Sequence, residues 1–316
     1  MLTKMNKICI CYHSADLDGV LSGVIANWKL SFDPNNDITL IPADYGDNFK
    51  LKLLDKYDKI YMIDLSDDWV LTHPTISKKV TLIDHHITAI EKEYKVDKYT
   101  VLGVAACRLA YQFFTNSNWS FFDDVQYHNR LVNEPLFVTL AGEYDIWDLD
   151  SPLAKYLNKG VTDLSFESVD FLFRELMHVK CPIKKESKQH DRKYLEELTR
   201  KDKNLFLHYI TKGEGVMDYI RSTEKTLDGG VKVELFGLTG YAYNTHIATS
   251  DIAVQKGDFT MVWRYVGGSK AKVSVYSNTK DVHHIAKQFG GGGHKRACGF
   301  SILPHILTQI LTTGYP

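Results

Sequence analysis

Acidic and histidine side chains follow three apolar stretches of the chain, at the point where each stretch ends. The chain reads ICICYHSADLDG from residue 8, IYMID from residue 60 and VTLIDHH from residue 80. In an open parallel sheet, ligands bind outside the carboxyl ends of the strands. Carboxylate oxygens and neutral imidazole nitrogens are donors that suit manganese, iron, zinc or magnesium. The pattern therefore predicts a metal-dependent site at one edge of a parallel sheet.

The first of these runs carries His13, Asp16 and Asp18, followed by Gly19. Alternating carboxylates just beyond a strand can face a common pocket, and glycine frees the backbone to turn into the next helix. A single aspartate in this place would more often cap that helix. The combination with a histidine favours metal binding, with capping as the alternative.

The second and third runs place acids directly after buried strands. A carboxylate in the position of Asp64 needs compensation by charge or by hydrogen bonds. One of the acids after it, Asp67 or Asp68, is expected to cap the next helix. Two adjacent histidines after Asp84 are rarely there for packing, and we expect Asp84 to accept a hydrogen bond from a ligating histidine.

A further acid, Asp145, follows an apolar helix within the segment GEYDIWD. Alone this is a weak signal, because acids after helices are common. Two metal ions about 4 Å apart need some six protein ligands, one of which bridges them. The chain offers about that number of candidates, namely His13, Asp16, Asp18, Asp64, His85 and Asp145.

A run of glycines near the end of the chain, Gly290–Gly293, precedes His294, Lys295 and Arg296. Glycine lets backbone N–H groups approach an anion closely. A glycine run alone is usually a flexible loop. Because this run leads into basic residues and reads as the opening of a helix, it predicts a phosphate-binding segment.

The length, composition and charge of the chain limit the kinds of protein that it can be. A chain of 316 residues is long enough for two domains, and 44% hydrophobic with 24% charged residues is typical of a globular protein. The 38 basic and 39 acidic residues nearly cancel, which argues against a globally basic nucleic-acid-coating protein but not against a local basic groove.

The five scattered cysteines form no disulfide framework, and Cys9 and Cys11 are interpreted as core residues. No bilayer-spanning stretch or signal region is found, so a reducing, cytoplasmic location is expected.

Strand and helix signals alternate over the first 150 residues, which predicts a parallel sheet with helices on both faces. The strands are expected at 7–12, 37–41, 59–64 and 79–84, and the helices at 20–30, 47–57, 100–114 and 131–144.

From 166 to 211 the pattern is helical and polar. The charged stretch 184–212 is interpreted as a solvated helix that bridges two domains, with nucleic-acid contact as the alternative. After about residue 213 the pattern becomes strand-like, at 231–236, 259–266 and 271–276, before a helix at 281–289. The expected organisation is a parallel-sheet domain over 1–150, a helical connector over 151–212 and a smaller α/β domain with a mixed sheet over 213–316.

Together these segments resemble the DHH phosphoesterase family, in the branch with a DHH-associated C-terminal domain, and most of all its bacterial oligoribonuclease (nanoRNase) members. The resemblance covers almost the whole chain, with the motifs in the family's order. It rests on H-x-x-D-x-D-G at 13–19, Asp64, D-H-H at 84–86, Asp145, G-G-G-H at 291–294 and A-C-G at 297–299.

The resemblance implies a phosphodiesterase cleft between the domains with two divalent ions, most often Mn²⁺, with Mg²⁺ or Co²⁺ as alternatives. It implies that His13 and Asp16 hold one ion, that Asp18, His85 and Asp145 hold the other, and that Asp64 bridges them. The resemblance places His86 near the scissile phosphate, alongside Asp64 and Asp84 as catalytic residues. The implied substrate-binding residues are Gly291, Gly292, Gly293, His294, Arg296 and Tyr276. Tyr276 stands where family members often carry a phosphate-binding arginine, so stacking or another cation would have to replace that charge.

The activity expected from this resemblance is metal-dependent hydrolysis of short single-stranded oligonucleotides or dinucleotides to mononucleotides. Within the family, the substrate could instead be a cyclic dinucleotide, its linear product or 3′-phosphoadenosine 5′-phosphate. A non-catalytic nucleotide-binding sensor and a purely structural α/β protein belong to different functional classes, and the intact set of acids and histidines argues against both. No membrane partner is expected, and a homodimer is compatible with the chain.

Overall fold

The computed structural model describes residues 5–44, 51–115, 134–148, 152–179, 203–224, 230–245, 257–266 and 270–315. The chain divides into two units, Met1–Glu214 and Gly215–Pro316. Each unit has its own sheet and its own hydrophobic core. The first sheet is parallel and the second is mixed, which confirms the predicted α/β fold class.

The sheet of the first unit brings together the strand ends that the sequence marks out. Its strands are β1 (Asn6–His13), β2 (Asn36–Ala43), β3 (Lys59–Ile63), β4 (Val80–Asp84) and β5 (Asp97–Thr100). They pair in parallel in the order β2-β1-β3-β4-β5. The carboxyl ends of β1, β3 and β4 therefore lie side by side at one edge of the sheet.

Helices cover this sheet. They are α1 (Leu17–Leu30), α2 (Leu51–Leu54), α3 (Asp68–Thr72), α4 (Ile87–Glu91), α5 (Ala106–Thr115), α6 (Leu136–Asp145), α7 (Pro152–Val161) and α8 (Phe166–Leu176). Alternate residues of β1 face opposite sides, as the strand period requires. Ile10 lies in the larger core with residues of α1, α5, α6 and α8, whereas Cys9 and Cys11 lie in a second core and are fully buried, as expected.

Two boundaries in the first unit differ from the sequence prediction. Thr100 does not begin a helix but ends β5, where it pairs with Asp84, and the helix begins only at Ala106. The pairing of β5 with β4 keeps Thr100 in a strand, and the apolar periodicity of the sequence contains no information about this pairing. The helix predicted at 47–57 appears as α2 but already ends at Leu54, and the helix predicted at 131–144 appears as α6. Residues 47–50 and 131–133 lie outside the described residues.

The helix α9 (Lys203–Glu224) continues past residue 213, where a change to strand was predicted. Gly213 does not end this helix but lets it approach α7 closely, because a Cβ there would lie 1.7 Å from the carbonyl oxygen of Tyr156. Most of the predicted polar helix at 184–212 lies outside the described residues. None of the helices that the structure describes is both long and apolar enough to cross a bilayer.

The second unit is built on a six-stranded sheet. Its strands are β6 (Val231–Leu235), β7 (Leu238–Asn244), β8 (Phe259–Val266), β9 (Lys270–Tyr276), β10 (Gly292–His294) and β11 (Ala297–Ile302), in the order β10-β11-β9-β8-β7-β6. Only the β7–β8 pair among these described strands is parallel. Two helices, α10 (His283–Gln288) and α11 (Pro304–Thr313), complete the described part of the unit.

The prediction that the glycine run opens a helix is wrong. Gly290 follows the end of α10 with a φ of 73°, and the chain then enters the hairpin of β10 and β11. The glycines are therefore not followed by a helix N-terminus that could bind an anion. Instead, β11 follows, and it pairs with β10 on one side and with β9 on the other.

Candidate metal centre and glycine segment

The end of β1 and the start of α1 bring His13 and Asp16 together. One oxygen of Asp16 caps α1 by accepting a hydrogen bond from the amide of Gly19 at 3.0 Å. Its other oxygen lies 3.1 Å from Nδ1 of His13. The two interpretations of this aspartate are therefore compatible, since capping uses one oxygen and leaves the other beside the histidine.

Asp64 faces two histidines from opposite ends of one carboxylate. Its Oδ2 lies 3.4 Å from Nδ1 of His13, and its Oδ1 lies 3.3 Å from Nε2 of His85. The residue is 1% exposed and has a φ of 57°, in the left-handed region. Aspartate is among the few residues other than glycine that adopt this conformation with little cost.

His85 is surrounded by three carboxylates. Besides Asp64, its Nε2 lies 3.6 Å from Oδ2 of Asp18 and 3.2 Å from Oδ2 of Asp145, the last residue of α6. The amides of Ala106 and Cys107, which begin α5, donate to the two oxygens of Asp18 at 2.9 and 2.8 Å. Asp18 is therefore held by the start of α5 rather than used as a cap for α1.

Asp84 fixes the orientation of His86. Its Oδ1 accepts hydrogen bonds from the amides of His85 and His86 at 2.7 and 3.0 Å and lies 2.8 Å from Nδ1 of His86. Its Oδ2 is buried without a hydrogen-bond partner among the described residues. The side-chain hydrogen bond expected from Asp84 thus goes to the second histidine of the pair and fixes its ring at Nδ1.

All six residues predicted as metal ligands lie in two groups. Within each group, the possible ligand atoms lie within 4.8 Å of one another. The first, called here the His13 group, is His13, Asp16 and Asp64, and the second, called the His85 group, is Asp18, His85 and Asp145. A third, overlapping group consists of Asp64, Asp84 and His86. These acidic and histidine side chains, most of which are buried, could bind metal ions.

The carboxylates of the site repel one another. Burial and the charge of Asp64 raise the pKa of Asp18 to about 6. Burial and the charges of Asp18 and Asp64 also raise the pKa of Asp145. Burial also tends to raise the pKa of Asp64, but the close imidazoles of His13 and His85 outweigh burial and hold the pKa of Asp64 well below its usual range.

Neighbouring acids also raise the pKa values of two histidines of the site. Burial lowers the pKa of His13, but the close carboxylates of Asp16 and Asp64 raise it to about 11. Burial likewise lowers the pKa of His86, but the charge of Asp84 raises it to about 9. Crowded carboxylates and imidazoles that hold protons in this way are a donor set that fits divalent cations such as Mn²⁺, which displace protons when they bind.

Sequence reasoning missed Asp44 at this edge. Its Oδ1 lies 3.2 Å from Nε2 of His13. Asp44 directly follows Ala43, the last residue of β2, so the rule applied to the other strand ends would have found it. A buried ion pair between Arg108 and Glu134 was also missed, and no spacing in the sequence indicates it.

Most of the glycine run is explained by the backbone of the second unit. A Cβ at Gly291 would lie 2.1 Å from the carbonyl oxygen of Gly299, and Gly293 has a φ of 130°. At Gly292, by contrast, a Cβ would meet no atom of the described residues within 4 Å. Gly292 is therefore the member of the run whose lack of a side chain the fold does not require.

Three side chains stand in a row across the hairpin and its neighbour. His294 pairs with Ala297, and Ala297 pairs with Tyr276 on β9. Directly paired residues point to the same face of a sheet, about 5 Å apart at Cβ. The small Ala297 therefore lies between His294 and Tyr276, and the exposed Arg296 lies in the turn beside them.

Comparison with known proteins gives no family assignment. No family model and no curated protein matches the sequence. An uncharacterized protein from Helicobacter pylori G27 is similar in structure with a TM-score of 0.39 and 18% identity, over 94% of this chain and 93% of that chain. A pGpG-specific phosphodiesterase from Vibrio cholerae is similar with a TM-score of 0.43 and 10% identity, over 96% of each chain. Likenesses at this level assign neither a family nor an activity.

Proposed function

We propose that this protein is a two-metal phosphodiesterase that hydrolyses short single-stranded oligonucleotides, including dinucleotides, to mononucleotides. The observation that carries the proposal is Asp64, whose two oxygens lie 3.4 Å from His13 Nδ1 and 3.3 Å from His85 Nε2. A carboxylate shared by two ligand groups is the arrangement that a pair of neighbouring divalent ions needs. The resemblance of the motifs to the DHH phosphoesterases points to the same chemistry.

In this proposal the His13 group would hold one ion and the His85 group the other, with Asp64 common to both. Mixed carboxylate and imidazole donors favour Mn²⁺ over Mg²⁺, which prefers oxygen ligands alone, and Co²⁺ is a further alternative. The ions would supply neutralisation of charge on the phosphate and activation of water at neutral pH.

His86 is proposed to act on the phosphate directly. The Asp84 charge raises the pKa of His86 to about 9 against the effect of burial, so the imidazole carries a proton at neutral pH. A charged N–H at Nε2 can donate to a phosphate oxygen or give its proton to the leaving oxygen. Asp84 holds the ring through Nδ1 and so fixes its orientation.

The second unit is proposed to bind the end of the substrate. His294 and Arg296 would contact a phosphate, the backbone at Gly291, Gly292 and Gly293 would approach it, and Tyr276 would stack on a base. The shared face of His294 and Tyr276 across Ala297 supports this assignment. A short substrate is favoured because a net charge of -1 leaves little basic surface for a long strand.

The test is a product-length assay. Purified protein with Mn²⁺ is incubated with end-labelled oligonucleotides of two to about seven residues, in parallel with a cyclic dinucleotide, its linear product and 3′-phosphoadenosine 5′-phosphate. We expect stepwise shortening to mononucleotides, fastest for the shortest chains. Turnover of the cyclic compound or the adenosine bisphosphate alone would replace the substrate in the proposal. Nucleotide binding without hydrolysis in Mn²⁺ would favour a sensor instead.

A further inference from the structure

A buried ion pair lies beside the His85 group and has no part in the chemistry proposed above. Arg108 is 7% exposed and Glu134 is 1% exposed, and Nε of the arginine donates to Oε1 of the glutamate. The hydroxyl of Thr139 donates to the same oxygen at 3.2 Å. Burying two charges costs so much solvation that such pairs seldom add stability over an apolar pair of similar volume. Stability alone therefore does not explain these residues.

The pair connects the two helices that hold the outer carboxylates of the His85 group. Arg108 is the third residue of α5, and the amides of the first two residues of that helix bind Asp18. Glu134 lies two residues before α6, and Thr139, which donates to it, lies within α6, the helix that ends at Asp145. The ion pair and the Thr139 hydrogen bond together thus tie the helix that orients Asp18 to the helix that carries Asp145.

The side chain of Arg108 also sets how closely the helices approach. Its aliphatic part lies against Gly142, where a Cβ would come within 2.6 Å of Cδ of the arginine. Gly142 is three residues before Asp145, so it lies on the same side of α6, one turn away. The contact therefore fixes the helix spacing next to the ligand itself.

We propose that Arg108 and Glu134 are positioning residues that hold Asp18 and Asp145 at the separation which the His85 group needs to bind its metal ion. The His13 group is built on β1, the start of α1 and the end of β3, so its own ion should be little affected. The identity of the ligand as a metal ion rests on the proposed function. Partners that orient metal ligands without touching the metal typically change its affinity about 10–100-fold.

The test is a Mn²⁺ titration of the metal-free protein, followed by electron paramagnetic resonance of free Mn²⁺ and of spin-coupled pairs. The variant Arg108→Met with Glu134→Gln removes both charges together, so no unpaired buried charge remains. We expect the unmodified protein to bind two coupled ions. We expect the variant to bind one ion normally and the second about 10–100-fold more weakly, with loss of the coupled signal. The control is Arg221→Met with Asp218→Asn, an exposed pair on α9 with an N–O distance of 3.0 Å, which should change nothing.

Circular dichroism and thermal unfolding without metal show whether each variant is folded. If the double variant does not fold, Arg108→Lys decides the question, because it keeps the charge but changes the geometry and should weaken the same ion several-fold. A folded variant that binds both ions as the unmodified protein does, or loses both equally, would overturn the proposal.

The two proposals fail in different ways. One bound ion in the unmodified protein would count against the two-metal function, and Asp145→Asn would show whether the His85 group binds it. An ion in the His85 group whose affinity depends on Arg108 would still support the positioning role. An ion bound by the His13 group alone would overturn both proposals.

Discussion

The carboxyl edge of the first sheet and the glycine segment of the second differ in how far packing explains their residues. At the first edge, Asp18, Asp64 and Asp145 crowd one imidazole, an arrangement that raises the pKa of two of the acids and gives no apolar contact in return. In the second, Gly290, Gly291 and Gly293 serve a helix end and a close strand approach. Buried acids are thus a strong signal of function, whereas glycines that the fold itself needs are a weak one.

The largest effect is expected for Asp64→Asn. Asparagine adopts the left-handed conformation as readily as aspartate but removes the shared charge, so the fold should survive while dinucleotide turnover in Mn²⁺ falls by at least about 10³-fold. The matched control is Asp97→Asn on β5, whose carboxylate pairs with Lys59 at 3.4 Å on the surface. Retained turnover in Asp64→Asn would remove this residue from the bridge and weaken the contrast between the two regions.

The second effect concerns the pH range of the reaction. In the metal-free chain the Asp84 charge raises the pKa of His86 to about 9 despite burial, so Asp84 favours the protonated donor, which is lost as the pH rises. In Asp84→Asn this alkaline limit should move down toward the ordinary histidine value of about 6.5, with roughly tenfold slower turnover at pH 7.5. The rate profile from pH 6 to 10 measures this, with Asp67→Asn, which keeps a side-chain cap on α3, as the control. An unchanged profile would show that the reaction rate does not depend on the protonation of His86.

A third prediction links metal binding to protons. Because burial and Asp64 raise the pKa of Asp18 to about 6 from 3.8, the folded metal-free chain keeps a proton that the unfolded chain releases. The stabilising effect of that proton is complete below about pH 4 and is lost as the pH rises through 6. Mn²⁺ must displace the proton, so its affinity should weaken by up to about tenfold per pH unit below pH 6.

Mn²⁺ titrations between pH 5 and 7, with unfolding midpoints in the absence of metal, test the prediction. In the metal-free unfolding measurements Asp64→Asn serves as a comparison, since removal of the Asp64 charge should lower the pKa of Asp18. Metal affinity that stays constant over this range would contradict the account of a proton-holding site.

The smallest effects separate two neighbouring glycines. Gly291→Ala forces a Cβ to within 2.1 Å of a carbonyl oxygen and should destabilise the fold by about 1–3 kcal/mol. Gly292→Ala meets no described atom within 4 Å and should leave the unfolding midpoint unchanged. If the backbone at Gly292 approaches a phosphate of the substrate, Gly292→Ala should raise KM a few-fold without changing kcat, although the stability of the fold is unchanged. Equal KM values would leave the glycine segment explained by folding alone.

The strands of the first sheet and most of the candidate site could be predicted because the sequence shows where each strand ends. Apolar runs that stop at Asp64 and at Asp84 indicate both the strands and the edge where ligands bind, and the α/β class followed from their alternation with helices. Asp44 obeys the same rule after β2 and could have been found by applying it once more. Ordinary helix preferences predicted a cap at Asp67 or Asp68, and the structure confirms a cap at Asp67, which accepts a hydrogen bond from the amide of Val70 at 3.0 Å.

The remainder depends on contacts between distant segments. The start of α5 at Ala106 follows from the pairing of β5 with β4, and the length of α9 from the close approach of Gly213 to Tyr156. The pairing of Arg108 with Glu134 arises only when α5 and α6 pack together. Local periodicity carries no information on such contacts, so these features could not be read from the pattern.

The central claim is that two groups of side chains, joined at Asp64, hold two metal ions. Anomalous diffraction at the manganese edge from crystals grown with Mn²⁺ tests it most directly. The account predicts two peaks about 4 Å apart, one within the His13 group and one within the His85 group, with a carboxylate oxygen of Asp64 on each. A single peak, or two peaks that Asp64 does not join, would contradict it.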